Sequence, residues 1–253
     1  MDIRRLPLFA LSLVVVGCSG STTTPSTTTP PPTATSEKPA DNSGKETPVA
    51  ETKTPPSAEK PKLESLAANL KHEGYEYYGL GSTTPLKMSL VQGARTLKGA
   101  QETELEEVKA DGAVFRQAWT EELAMNGTSK VRVTPEGVFG IEAQGKALTP
   151  PQMEMPAKIT PGFAWSSHTK LTVNGETVEG TDSKIVGLKT ITIGKKPHSV
   201  LVITRTSKVD ISGKKKVLDS TEYYEKGIGP VKVDVKVSGG GDPVQTFSME
   251  HTE

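Results

Sequence analysis

Hydrophobic positions along this chain follow three regimes. Residues 6–17 form a short apolar run directly behind Arg4-Arg5, and residues 19–62 then contain no aromatic and almost no aliphatic side chain. From Tyr75 onward apolar and polar residues alternate in short bursts separated by turn residues. The alternation is cleanest in Val231-Lys232-Val233-Asp234-Val235-Lys236-Val237, where every second residue is valine and the rest are charged. Such a strand buries one face and wets the other. Similar composition marks strands over 86–91, 102–109, 114–123, 130–134, 138–142, 169–173, 183–193, 199–210, 217–224 and 244–251.

Turn signals separate these segments: Ala110-Asp111-Gly112, Asn126-Gly127, Pro135-Glu136-Gly137, Asn174-Gly175 and Ile211-Ser212-Gly213-Lys214. Asp-Gly and Asn-Gly are strong hairpin signals, so most neighbours are antiparallel. About ten to eleven strands in one body predict an all-β fold, a single highly curved or half-barrel sheet, because so many strands seldom stay flat. The stretch 150–166 is where the sheet divides into two hairpin groups. One helical stripe, Leu63, Leu66, Ala67 and Leu70, follows Pro61 and is stopped by Gly74, predicting a short N-terminal helix that plugs a core edge or covers the mouth of the sheet.

The organisation is therefore a signal over 1–17, a tether over 18–62 and a β domain over 63–253. Arg4-Arg5, the apolar run and Val15-Val16-Gly17-Cys18 resemble a bacterial lipoprotein signal and its lipobox. That resemblance implies cleavage before Cys18, a thioether-linked diacylglycerol on its sulfur and an acyl chain such as palmitate on its new amino group. Two or three chains give durable membrane anchoring. Ser19, rather than aspartate, favours the outer membrane over the inner where a host has both. Threonine, proline, serine and alternating charges over 19–62 cannot bury enough surface to offset chain entropy, so the tether is expected to be a disordered stalk.

Composition narrows the function. The thirty basic and thirty acidic residues balance, leaving no long-range field for nucleic acid. With one cysteine no intramolecular disulfide forms. His72, His168, His198 and His251 are scattered, so no metal or other cofactor is expected. Glu102, Glu104, Glu106 and Glu107 have the pattern of a solvated strand face. Lys195-Lys196 and Lys214-Lys215-Lys216 mark solvent-facing loop ends with local reach toward phosphate headgroups or anionic polymer. Gly227 and Gly229 flank a sharp strand junction, and without a third glycine or a following helix they make a poor phosphate cradle. No Gly-x-Ser-x-Gly elbow or other catalytic motif is present, and the expectation is a protein that is not an enzyme. Trp119, Trp165 and Tyr224 are the aromatics expected to fill the core or line an apolar groove.

Three segments carry a further resemblance. Pro156 to Trp165, Val186 to Gly194 followed by Val200-Leu201-Val202-Ile203, and Tyr223 to Lys232 resemble, in order, stretches of TapB-like bacterial envelope lipoproteins. Leu188 stands where that pattern often has an acid, and Lys195-Lys196-Pro197 replaces a small-residue turn. The resemblance implies a curved antiparallel sheet reminiscent of LolA/LolB-like carriers, with no established reaction. The expected function is a membrane-anchored envelope domain that binds or scaffolds a lipid, hydrophobic ligand or protein partner. An envelope hydrolase with a dispersed site and a purely structural spacer are the alternatives.

Overall fold

A computed structural model describes residues 61–173 and 176–252. The signal, Cys18 and the tether up to Lys60 lie outside the described residues. Two 3-10 turns, Leu63–Ser65 and Ala68–Leu70, lead into a helix α1, Glu73–Tyr78. Six strands follow: β1 Leu86–Gln92, β2 Arg95–Lys109, β3 Gly112–Trp119, β4 Thr128–Thr134, β5 Gly137–Ala143 and β6 Lys146–Pro156. Seven more complete the chain: β7 Ala164–Ser167, β8 Leu171–Val173, β9 Glu176–Ile193, β10 Lys196–Ile211, β11 Lys214–Glu225, β12 Gly229–Gly239 and β13 Gln245–His251.

All pairings are antiparallel within one nearly closed, barrel-like sheet ordered β6-β5-β4-β3-β2-β1-β13-β12-β11-β10-β9-β7, with β8 also on β9. Two meanders are thus zipped together by the first and last strands, Leu90 of β1 standing opposite Met249 of β13. Three of the hairpin signals hold: Lys109 pairs with Gly112, Thr134 with Gly137 and Ile211 with Lys214 across two-residue turns. Ser212 and Gly213 both take positive φ (54° and 79°), the conformation such a turn demands. Asn126-Gly127 instead ends a 3-10 helix, Glu121–Asn126, that takes the place of the far end of the strand expected over 114–123, and Asn174-Gly175 lies outside the described residues. Among the described residues there are 13 strands rather than the ten or eleven expected. The additional two, β6 and β7, overlap the two ends of 150–166, where prolines in β6 and the four-residue length of β7 hide the alternation.

The helix also differs from expectation. The Leu63 to Leu70 stripe forms only two 3-10 turns, and the α-helix begins after them and runs through Gly74 to end on Gly79 in the left-handed conformation (φ 77°). The reason is contact. A Cβ at Gly74 would overlap the Pro156 carbonyl, and one at Gly79 would overlap the Ile228 carbonyl, so glycine lets α1 wedge between β6 and the β11–β12 turn. Glu73 accepts the Ile159 N–H (2.9 Å), the Glu76 carbonyl accepts the Gly227 N–H (2.9 Å), and Lys226 pairs with the Glu76 carboxylate (2.8 Å). The helix therefore plugs the barrel mouth, pressing Tyr75 and Tyr78 onto Phe115 and Tyr224.

His72 caps this plug. Its Nδ1 accepts the Tyr75 N–H (3.1 Å), which leaves Nε2 to donate to the Thr134 carbonyl (2.9 Å). Burial holds the imidazole pKa below its ordinary value, against the opposing pull of Thr134, Glu136 and Glu76. The folded protein thus favours the neutral ring and the unfolded chain binds the proton more readily. Stability from His72 is full above about pH 6.5 and is lost as pH falls through the lowered folded value. In urea unfolding, His72→Ala is expected to cost about 1 kcal/mol at pH 7.5, with the gap to wild type narrowing on acidification. Gly74→Ala is expected to cost about 1–3 kcal/mol at any pH because backbone must move.

Candidate functional site

The two edge strands, β6 and β7, meet without pairing to each other. On β6, Pro150, Pro151 and Pro156 lack N–H groups, so this edge offers mainly carbonyls. Side-chain donors from the other side reach them. Trp165 Nε1 donates to Met153 O (2.8 Å), Arg205 Nη2 to Glu154 O (2.7 Å), Thr169 Oγ1 to Pro150 O (2.9 Å), and Lys146 Nζ donates back to Thr172 O (2.7 Å). The register slips between Val138 and Phe139 leave Glu154 as the extra residue of a β-bulge. Such a bulge re-aims a side chain, here inward toward Arg205.

Arg205 is 3% exposed and sits mid-β10 on the inner face. Its Nε lies 2.9 Å from Glu222 Oε1, its Nη2 lies 3.6 Å from Glu154 Oε2, and its Nη1 donates to Ser183 Oγ (3.1 Å). Ser220 Oγ (3.2 Å) and the Tyr224 hydroxyl both donate to Glu222. Trp165 covers the guanidinium at 5.7 Å. Burial works against the charge, but Glu222, Tyr224 and Glu154 outweigh it and hold the guanidinium pKa above its ordinary value. Burial, followed by the Glu222 charge, likewise pushes the Tyr224 hydroxyl well up. The cluster is a satisfied ionic staple across the seam: its polar atoms are turned on one another.

Above the staple lies the rim. Phe163 stacks on Trp165 at 5.8 Å and is 42% exposed; beside it Val186 is 41% and Leu188 62% exposed. The β9–β10 hairpin projects past the barrel. Together with β12, β13 and β1 it bounds a surface groove of about 890 Å³, lined by Ile193, His198, Lys232, Asp234, Glu250 and His251 among others. Lys232 bonds Glu250 (2.7 Å) and His198 bonds Glu225 (2.7 Å), so much of the groove's charge is internally paired.

The aromatics singled out from sequence are separated rather than gathered. Trp119 is buried in the cluster with Met88, Leu123 and Phe247, and Tyr224 is buried at the opposite end beside Tyr78. Trp165 is half-buried at the seam. Cys18 lies outside the described residues. The four histidines serve different places: His72 caps α1, His198 and His251 bond at the groove, and His168 is exposed. Among the described residues no three His, Cys, Asp or Glu side chains group as metal ligands. On β2, Glu106 pairs with Lys130 (2.8 Å) and Glu107 with Lys109 (3.0 Å), a solvated face.

Lys214 and Lys215 face solvent at a loop end as expected, whereas Lys216 is buried, and all three are paired: Lys214 and Lys216 hold Asp242 (2.7 and 2.8 Å), and Lys215 holds Glu179 and Asp210 (2.6 and 3.2 Å). Hydrogen bonds from Lys214 and Lys216 lower the Asp242 pKa to about 2. These lysines tie loops together, because three β-hairpins meet there. Gly227 and Gly229 do take positive φ (83° and 108°) at the strand junction, and Gly229 packs near Tyr78 O.

Sequence reasoning missed Arg205, Glu154 and Glu222. The signal was nonetheless present for two of them. Leu201, Ile203, Arg205, Ser207, Val209 and Ile211 occupy one face of β10, and Leu218, Ser220, Glu222 and Tyr224 one face of β11, which puts opposite charges in inward registers of neighbouring strands.

No protein-family model matches this chain, and no curated protein matches it. Three solved structures are similar in outline. One is an inferred exported protein with a YmcC-like fold from Bacteroides fragilis, at 8% identity and TM-score 0.36, covering 67% of this chain and 95% of that one. Another is an inferred lipoprotein from Parabacteroides distasonis, at 10% identity and TM-score 0.38, covering 70% and 98%. The third is the hypothetical lipoprotein YmcC from Escherichia coli, at 12% identity and TM-score 0.32, covering 71% and 89%. Likeness at this level assigns neither family nor activity.

Removing one member of a buried ionic staple strands the others. Arg205→Met is expected to lower unfolding free energy by about 3–5 kcal/mol, read in urea, and to speed amide exchange in β6 more than in β1 or β13. Adding Glu222→Gln should recover part of that loss.

Proposed function

We propose that this chain is an exported lipoprotein, acylated at Cys18 and tethered on an extracytoplasmic membrane face, whose β body is a non-enzymatic binding or scaffolding module that engages its partner at the surface. The observation that carries the surface assignment is the occupied interior. Met88, Phe115, Leu123, Val131, Val138, Met155, Ile185, Leu201 and Ile203 retain no accessible area. A side chain lining a cavity wide enough for water would retain some. A carrier of acyl chains needs an emptied sheet interior; here apolar side chains fill it at both ends and the Arg205 staple fills the seam.

Ligands are therefore met outside, at the rim of Phe163, Val186 and Leu188 or in the groove beneath the β9–β10 hairpin. The lipobox supports the anchor, Ser19 supports the outer membrane, and the TapB-like segments support an envelope role. The polar cluster supports structure rather than chemistry, since its carboxylates are engaged by Arg205, Ser220 and Tyr224.

Metabolic labelling with an alkyne palmitate analogue tests the anchor. Label and membrane fractionation are expected for the full chain and should vanish in Cys18→Ser; unlabelled mature protein with Met1 intact would refute it. Gentle purification followed by native mass spectrometry tests the surface assignment, with no lipid mass expected beyond the covalent chains. A stoichiometric non-covalent lipid would place the ligand inside instead.

A further inference from the structure

The outer edge of β9 is covered in stretches. Glu176 to Val178 pairs with β8, and Thr181 to Lys184 pairs with β7. Ile185 then donates its N–H to Phe163 O (2.9 Å) and accepts from Gly162 N–H (2.8 Å). Beyond Ile185, to Ile193, no described strand pairs with this edge, because Pro161-Gly162 turns the chain away (Gly162 φ 84°).

Three features agree on which backbone groups face the open side. The β9–β10 hairpin closes on Ile193 and Lys196 across a two-residue turn, and such a turn closes on a hydrogen-bonded pair. Counting back in twos turns the N–H and C=O of Thr192, Thr190 and Leu188 outward. Pro197, which has no N–H, stands opposite Thr192, where none is needed. At the other end Ile185 also faces outward, and the bulge at Val186 shifts the count by one to bring Leu188 out. Three residues thus present about six unpaired backbone bonds, which in an exposed edge strand is a template for another chain.

The side chains define what fits. Leu188 is on the inner-face side with Phe163, both exposed. Lys184 and Lys189 lie on the outer face and Lys195 at the turn, and among the described residues these three form no ion pair. Between Ser183 and Val209 the chain has no Asp or Glu. Two copies joined edge to edge would bring lysine-bearing strands together with no acid between them.

We propose that the β9 edge, Leu188 to Thr192, binds an extended segment of a partner protein by strand addition, and that this segment alternates apolar residues, on the face of Leu188 and Phe163, with acidic residues on the face of Lys189. This deepens the surface-binding reading above and rests on it for its biological setting. The incoming strand takes the place in line that β7 leaves empty. Main-chain bonds supply affinity and the alternating side chains supply selectivity. One short strand buries little area, so binding is weak for a single encounter.

The test uses the full chain and two eight-residue probes, one alternating valine and glutamate, the other valine and lysine. The glutamate probe is expected to slow amide exchange at Leu188, Thr190 and Thr192, leave Lys189 and Ile191 unchanged, and bind at least about tenfold tighter than the lysine probe at low salt. Thr190→Pro removes an outward N–H without touching the β10 ladder and should abolish that protection. Lys189→Glu should move preference toward the lysine probe, and a glutamate probe N-methylated along one edge should fail on the unaltered protein. Equal binding of both probes, or no protection by either, would overturn the proposal. Protection of the same three amides that grows with protein concentration and no probe would assign the edge to a second copy. Failure here with Cys18 acylated leaves the anchored-binder reading standing, whereas missing acylation defeats the anchor and leaves the edge untouched.

Discussion

An antiparallel sheet that bends round until its end strands meet, yet does not pair them, has to close by some other chemistry, and here closure depends on Arg205. A guanidinium has donors in several directions and no acceptor. It therefore suits a seam whose one side, β6, is poor in N–H groups because of Pro150, Pro151 and Pro156. Arg205 reaches from β10 past Ser183 of β9 to the Glu154 carbonyl of β6 while its other edge is held by Glu222 of β11. Desolvating one cation among two carboxylates is costly unless every donor is met. Trp165, Ser183, Ser220 and Tyr224 meet or cover the remaining groups. Lysine could not replace it, because a point charge cannot address β6, β9 and β11 at once.

Closure in this manner has consequences for the rest of the molecule. Once the seam is stapled, the inner faces of both meanders converge and must be filled, so the barrel is a packed core rather than a container. The mouth needs a lid, and α1 fits only because Gly74 and Gly79 admit the carbonyls of Pro156 and Ile228. Because β7 is only four residues long and β9 is 18, the seam cannot cover the whole of the last long strand. The uncovered remainder is the β9–β10 hairpin, and it carries the exposed apolar and basic side chains of this end. The edge proposed above to take a partner strand is thus a by-product of unequal strand lengths at the place where the sheet ends.

Much of the fold could be read before any coordinates. Alternation placed β12 and the cores of β1, β4, β5, β10 and β11, and hairpin turns at Ala110-Asp111, Pro135-Glu136 and Ser212-Gly213 supplied antiparallel neighbours. The site was much less legible. Trp119 and Tyr224 have the hydrophobicity of site aromatics but are packed in separate clusters, and Trp165 owes its place to a Met153 carbonyl twelve residues away on an edge strand that looks like a loop. The lysines at 214–216 looked available for anions, but pairing with Glu179, Asp210 and Asp242 arises only when distant hairpins assemble. His72 looked incidental until the 3-10 turns delivered it to the start of α1.

By itself the sequence determined the properties that local pattern encodes: an antiparallel all-β body whose faces and turns follow from period-two alternation and short hairpins, preceded by a polar stretch over 19–62 and a resemblance to a lipoprotein address ending at Cys18. Only the tertiary structure decided which strands end the sheet, how β6 and β7 are joined, and that Arg205, Glu154 and Glu222 share one buried point. The physical reason is range. A side chain's face and a turn's hand depend on a few neighbouring residues, whereas the partner of a donor at position 205 is a carbonyl 51 residues earlier that becomes adjacent only when the whole sheet has closed.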